Sequence, residues 1–294
     1  GYNGTVAFRR GFILGETHRQ VSLKLVILGV YNRCEISLND NFVAECVGSY
    51  PEINLPSRLL NYDGKNVLKV EVDNRLSPRS TIPLRNGMLS PENYGGITGD
   101  IFLVMEPYPA LEDLQVSTSL SPDLTTGTVD IQSRLLLPAL EEPTGTLEFR
   151  FIDPAGGTAA AGTIDIQGQE EVRHTIEISN PELWSPGNPA LYRLEINTAK
   201  GDTVNPAYIH SLGFKHFFIG DNFNLNGSSI QLQGISYWME QPAGFTFTAE
   251  DYRRDVQFIR LARANSVLLR RQAHPYLLHL CDSTGLLVLQ AAQL

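Results

Sequence analysis

QLQGISYWMEQPAGFTFTAEDYRRDVQFIRLARANSVLLRRQAHPYLLHLCDSTGLLVLQ, residues 231–290, decides the architecture, because it reads as strands alternating with helices. QLQGIS is strand-like. Thr248 is a good N-cap, with Glu250 and Asp251 as first-turn acids, and Tyr252, Val256, Ile259 and Ala262 recur at helical spacing up to a helix end near Asn265. SVLL is strand-like again. A second helix opens at Pro275 and stops before Gly285, and the apolar run LLVLQ follows. Strand, helix, strand, helix, strand is a parallel succession whose crossovers are made by helices. A closed eight-stranded barrel takes about 250 residues, and roughly 75 follow residue 218. The reading is therefore the first β/α units of an incomplete TIM barrel, with Val267, Leu269, Leu287 and Leu289 turned inward toward strands outside this stretch.

Upstream of residue 213 the period is two. Val21, Leu23, Leu25 and Ile27 alternate with more polar neighbours, as do Leu68, Val70 and Val72. The same pattern runs through Leu114, Val116 and Leu120, through Val129, Ile131, Leu135 and Leu137, through Leu147, Phe149 and Phe151, and through Ile176 and Ile178. Short strands without intervening helices predict antiparallel sandwiches or jelly rolls, so the chain is mostly β. Pro107 and Pro109 interrupt the pattern and place a boundary near residue 107. DPAGGTAAAG, residues 153–162, is poor in anything that could anchor a core and reads as an exposed loop.

The 294 residues carry 23 Lys and Arg against 32 Asp and Glu, a net charge of -9 that offers no drive toward nucleic acid. No run of about 18 apolar residues could span a bilayer. The opening GYNGTVAFRR shows no basic segment followed by an apolar one, so no secretory signal is read there, and the compartment is left open. Cys34, Cys46 and Cys281 are too scattered for a disulfide framework or a zinc site. Cys34 and Cys46 do flank a hairpin tip at Asn39, Asp40 and Asn41, and pairing Leu38 with Phe42 sets them opposite each other, either as a disulfide or as two half-buried thiols.

Several strings resemble glycoside hydrolase family 2, the β-galactosidases, β-glucuronidases and β-mannosidases. GTVAFRRGFIL (4–14) resembles the family's early strand, CEISLNDNFVAE (34–45) its hairpin with an Asn-led turn, and YGGITGDIFLVMEP (94–107) the end of its sugar-binding module. LWSPGNPALYRLEI (183–196) and LGFKHFFIGDNFNLNGSSIQLQGIS (212–236) resemble the late strands of its immunoglobulin-like module and its barrel entry. The resemblance implies a jelly-roll sugar-binding-like domain at 1–107, an immunoglobulin-like β-sandwich at 108–218 and a truncated (β/α)8 barrel at 219–294. It also implies a retaining β-glycosidase acting on a carbohydrate substrate without a cofactor, and a full-length protein that is a candidate homo-oligomer.

Retention uses two carboxyl groups about 5 to 5.5 Å apart, and the family's two glutamates belong to later strands than these, so no catalytic residue is assigned here. Of Asp221, Glu240, Glu250, Asp251, Asp255 and Asp282, Glu240 alone follows the carboxyl end of a strand, where barrel sites form. Trp238 and Met239 stand where the family shows His and Glu, Leu268 where it shows Arg, and Gln290 where it shows Glu.

Asp100 matches a position from which the family's first module reaches a sugar hydroxyl, and is otherwise a strand-start Asp held in a turn. Trp238 is a stacking face for a pyranose or a structural rim residue. Arg270 or Arg271 can orient a carboxylate in the absent Arg's stead, or form a solvated pair. His274 is kept as a substrate-binding candidate; its spacing to His279 and Cys281 fits no zinc pattern, so no metal is expected. The alternative to the enzyme is a non-catalytic carbohydrate-binding or scaffold protein.

Overall fold

The computed structural model describes residues 2–31, 33–75, 95–137, 144–200, 203–238, 246–270 and 272–291. The candidates Glu240 and Arg271 lie outside the described residues. The first part contains β1 (Thr5–Leu14), β2 (Val21–Ile27), β3 (Val30–Tyr31), β4 (Arg33–Leu38), β5 (Asn41–Val47), β6 (Glu52–Asn54), β7 (Gly64–Asp73), β8 (Gly96–Ile97) and β9 (Ile101–Pro107). One antiparallel sheet runs β1-β7-β4-β5 and another β6-β2-β9. Leu23, Leu25 and Ile27 of the second face Ile36, Leu38, Leu68, Val70 and Val72 of the first in one core, as the period-two pattern predicts.

The hairpin between β4 and β5 differs from its expected form. Asn39 and Asp40 both adopt left-handed backbone (φ 51 and 61), the geometry of a tight two-residue turn. Leu38 therefore pairs with Asn41 and Ser37 with Phe42, and Val43 bulges out, which returns the register so that Cys34 still faces Cys46. Both cysteines are free thiols. Beneath the turn Asn66, fully buried, accepts from the Asn61 backbone N–H (2.8 Å) and from Asn39 Nδ2 (2.9 Å) and donates to the Asn61 carbonyl (2.8 Å).

The second part contains β10 (Ala110–Leu120), β11 (Thr126–Leu136), β12 (Thr144–Ile152), β13 (Thr158–Gln167), β14 (Glu171–Ser179), β15 (Tyr192–Lys200) and β16 (Thr203–Leu212). Sheets β10-β11-β14 and β13-β12-β15-β16 enclose a separate core that includes Val129, Ile131, Phe151, Ile176 and Leu194. Phe151 stacks on Tyr192 with centroids 5.0 Å apart, and Phe214 packs edge-on against both. The loop expected over 153–162 is corrected: the turn is short, and β13 already begins at Thr158. The small residues are what the strand requires, because a Cβ at Gly162 would come within 2.7 Å of the Phe149 ring on the paired strand. Before residue 213 the only helical turns among the described residues are the 3-10 segments Glu16–Gln20 and Ser57–Leu59.

A small antiparallel sheet of β17 (Phe217–Ile219), β18 (Phe223–Leu225) and β19 (Ser228–Ser229) leads into β20 (Gly234–Tyr237), α1 (Ala249–Leu261), β21 (Ser266–Leu269), α2 (Pro275–Thr284) and β22 (Leu287–Gln290). β20, β21 and β22 are parallel neighbours, as expected. Thr248 and Asp251 form a reciprocal capping box on α1, and Gly285, left-handed at φ 74, ends α2. α1 stops at Leu261, short of Asn265, where Arg263 turns left-handed.

The inward-face expectation also needs correction. Val267, Leu269 and Leu287 are buried, the first two packed with Val256, Ile259 and Leu277 of the helices, and the exposed residues are Leu268 (39%) and Leu289 (38%). Alternate residues of a strand face opposite ways, and here the helices cover the face that carries Val267 and Leu269. Among the described residues no helix is long and apolar enough to cross a membrane.

The three cores are bolted together at named points. Trp184 Nε1 donates to the Asp282 carbonyl on α2 at 2.7 Å, Asn54 Nδ2 donates to Glu112 at 2.7 Å, and the Ser49 N–H donates to Gln272 Oε1 at 3.0 Å.

Candidate functional site

The Ser49–Gln272 bond lies on a cleft of about 780 Å³ between the first β unit and the β/α segment. One wall is the turn Thr98–Asp100. It is clamped to Leu28 and Gly29: the Leu28 N–H donates to the Asp100 carbonyl (2.8 Å) and the Thr98 N–H to the Gly29 carbonyl (2.8 Å). The approach is so close that a Cβ at Gly99 would sit 2.0 Å from the Leu28 oxygen, which explains a glycine immediately before Asp100. The backbone clamp leaves the Asp100 side chain exposed on the cleft wall.

The opposite wall is aromatic. Tyr252 of α1 stacks on Phe247 (5.2 Å) and on His274 (5.3 Å), and Tyr50 meets the His274 ring edge-on at 5.2 Å. Burial pushes Tyr50 up to about 12 and Tyr252 upward as well, so both hydroxyls remain protonated at neutral pH. Tyr237, at the end of β20, donates to Asp255 at 2.7 Å. Gln290 accepts from the Ala273 N–H at 3.2 Å, and so holds the segment that presents Gln272 and His274.

His274 is the N-cap of α2: its Nδ1 accepts from the Tyr276 N–H at 3.1 Å, which requires an unprotonated Nδ1. Burial lowers its pKa below the ordinary 6.5. The unfolded chain therefore takes up the proton first as pH falls, and the stability contributed by the neutral ring, full above the unfolded value, is lost on acidification through the folded one. As the pH falls below 6.5 the Tyr276 amide is expected to lose protection from hydrogen exchange, and His274→Asn, which keeps an oxygen cap, should make that amide insensitive over the same range. Equal pH dependence in both proteins would refute the assignment.

The cleft thus brings Asp100 and His274 together. Trp238 and Arg270 stand apart from it as a pair at the carboxyl ends of β20 and β21, with the guanidinium 4.9 Å from the Trp238 ring centroid and the indole 43% exposed. Sequence reading missed Tyr50, Phe247, Tyr276 and Gln272 as cleft residues, and took Tyr252 for a core position on a helix face. Chain-local signals point to none of them; only the docking of α1 and α2 onto residues 48–50 brings them together.

Among the described residues no group of three or more His, Cys, Asp or Glu is placed to hold a metal ion. His274 is used as a cap and Cys281 is buried in the third core. Three acids of the β/α segment also have structural roles: Asp251 caps α1, Asp255 binds Tyr237, and burial raises Asp282 against the pull of Lys215, His279 and His210.

Residues 110–215 match the sequence profile of the glycosyl hydrolases family 2. The β-galactosidase of Staphylococcus xylosus is 24% identical over 98% of this chain and 27% of its own length, and that of Pectobacterium atrosepticum is 29% identical over 68% and 20%. Among solved structures, Bacteroides uniformis β-glucuronidase 2, covalently bound to cyclophellitol-6-carboxylate aziridine, superposes with a TM-score of 0.83 at 26% identity, covering 98% of this chain and 36% of that one. The Parabacteroides merdae β-glucuronidase with glycerol in its active site gives a TM-score of 0.83 at 21% identity, covering 98% and 38%. The chain spans about a third or less of the length of the curated relatives it matches.

Proposed function

Because the chain belongs to the glycosyl hydrolases of family 2, we propose that it is the front part of a retaining β-glycosidase that hydrolyses terminal O-glycosidic bonds. In this reading residues 1–107 are a sugar-binding-like jelly roll, 108–218 an immunoglobulin-like sandwich and 219–294 the opening of the (β/α)8 catalytic barrel. One observation carries it: Asp100 of the first unit faces the β/α segment across a single aromatic cleft. A carboxylate there accepts hydrogen bonds from adjacent sugar hydroxyls, and the tyrosine faces offer apolar contact to a pyranose ring.

Both catalytic glutamates belong outside this chain. Retention needs an acid/base and a nucleophile about 5 to 5.5 Å apart, and Asp251, Asp255 and Asp282 are bound up in caps and packing. The role of this chain in turnover is binding and orientation. Asp100 fixes the sugar, and the tyrosines shape the wall. Arg270, steadied on Trp238, is placed to orient a carboxylate at the barrel mouth.

The test is an aryl β-galactoside, β-glucuronide and β-mannoside panel applied to the complete reading frame and to these 294 residues alone. The complete protein should turn over at least one substrate, and Asp100→Ala should lower kcat/KM by about ten- to a hundredfold, the value of a hydrogen bond to a charged group. The 294-residue chain should be inactive. Turnover by that chain, abolished by replacing Glu240, would overturn the reading.

A second reading has its own support in sequence: Trp238, Leu268 and Gln290 replace residues usual in active members, which favours a non-catalytic carbohydrate-binding or scaffold protein. Sugar binding without turnover by the complete protein would select it.

A further inference from the structure

We propose that Cys34 and Cys46 form an oxidation site, a dithiol that a low-molecular-weight disulfide closes into a cross-strand disulfide. The two residues are direct partners in the β4–β5 register, and both sit in the first core. Opposed residues of an antiparallel pair have Cα atoms about 4.5 or 5.5 Å apart, inside the roughly 4.4–6.8 Å that a disulfide spans, so closure needs no movement of the backbone. The two thiols are near enough for each to influence the ionisation of the other.

The two sulfurs differ in access. Cys34 is buried, on a strand flanked by β7 and β5, whereas Cys46 is half-buried on β5, the edge of its sheet. The first attack therefore comes from Cys46. Its thiolate attacks one sulfur of the reagent, forms a mixed disulfide and releases one thiolate. Cys34, having lost its proton to solvent, then attacks the Cys46 sulfur and expels the second. In sum, two cysteine thiols and one reagent disulfide give one protein disulfide and two reagent thiols: two electrons pass from the cysteines to the reagent, and the two protons end on its leaving groups.

Burial pushes the Cys34 thiol up to about 12 and raises Cys46, which makes closure slow at neutral pH and faster in mild alkali.

The link would act on the cleft. Three residues past Cys46, the Ser49 N–H binds Gln272 and the Ser49 carbonyl accepts from Val30, so a staple at Cys46 tethers the strand that feeds the aromatic wall.

The experiment treats the folded chain with hydroxyethyl disulfide at about pH 8.5, alkylates it under denaturing conditions and maps the peptides by mass. Expected are a Cys34–Cys46 link with the loss of two hydrogens, alkylated Cys281, and a reagent adduct stranded on Cys46 in Cys34→Ser. The amides of 47–50 should exchange about threefold more slowly in the linked protein. Recovery of Cys34 and Cys46 both alkylated, or of a stable adduct on Cys46 beside a free Cys34 in the unsubstituted chain, would overturn the proposal. Both outcomes are read on that chain, so they stand even if the serine variant fails to fold.

Discussion

Replacing Trp184 by alanine is expected to destabilise the chain by about 3–5 kcal/mol, the range for truncating a fully buried aromatic. Its side chain is 1% exposed, and Lys215 Nζ lies 4.7 Å from the ring centroid. Its backbone is held as well: the N–H donates to the Phe214 carbonyl at 2.8 Å, and the carbonyl accepts from Asn226 at 3.0 Å. Indole Nε1 donates to the Asp282 carbonyl at 2.7 Å, one of the last four carbonyls of α2, which have no donor within the helix. Trp184 is thus both a core residue and the bolt between the sandwich and the β/α segment. Loss of the ring should separate the unfolding of that segment from that of the second core. Trp184→Phe, which keeps most of the volume and drops the donor, should cost about 1–3 kcal/mol. The chain has two tryptophans, so urea unfolding of the alanine variant followed by the fluorescence of Trp238 reports on the β/α segment alone. A single transition within about 1 kcal/mol of the parent would contradict this account.

Asn66→Ala should cost about 3 kcal/mol or more, because each buried group left without its partner costs about 1–3 kcal/mol. The deletion strands the Asn61 N–H and carbonyl and removes one acceptor from the side chain of Asn39, whose own Oδ1 accepts from the Val67 N–H at 2.8 Å and whose left-handed backbone makes the hairpin turn. The more informative change is Asn66→Asp, which preserves shape but replaces the donor facing the Asn61 carbonyl with a buried acceptor. It should be at least as damaging, with the midpoint recovering on acidification as the carboxyl gains a proton to donate. Thermal unfolding of the two variants across pH checks this; an aspartate variant as stable as the parent at neutral pH would show that the network is dispensable.

Both results bear on what could be read in advance. The caps of α1 and α2 are local chemistry within a few residues: Thr248 with Asp251, Pro275 after His274, and Gly285. Those helices, and the shift of period that precedes them, are legible in the sequence. The period-two strands are legible for the same reason. DPAGGTAAAG misleads because composition alone cannot register that Phe149, on another strand, needs the space left by Gly162. The β4–β5 bulge is hidden because it depends on the turn Asn39–Asp40 adopts and not on hydrophobic pattern. In the candidate site, Asp100 and His274 could be singled out by residue type and position, but their meeting could not. It depends on Ser49, Tyr50, Tyr252 and Gln272, which are unremarkable in their own segments and become a wall only when distant segments dock.

That docking has a consequence for biosynthesis. The hydrogen bond from Ser49 to Gln272 closes a separation of 223 residues. At roughly 5–20 residues per second of translation, Ser49 leaves the ribosome at least about ten seconds before its partner is made. The first core has time to form around a cleft with one wall missing, and Tyr50 waits in water for His274 and Tyr252. Of everything the chain builds, the cleft is finished late. A slower or misdirected arrival of residues 246–276 would leave both β units folded and the site open.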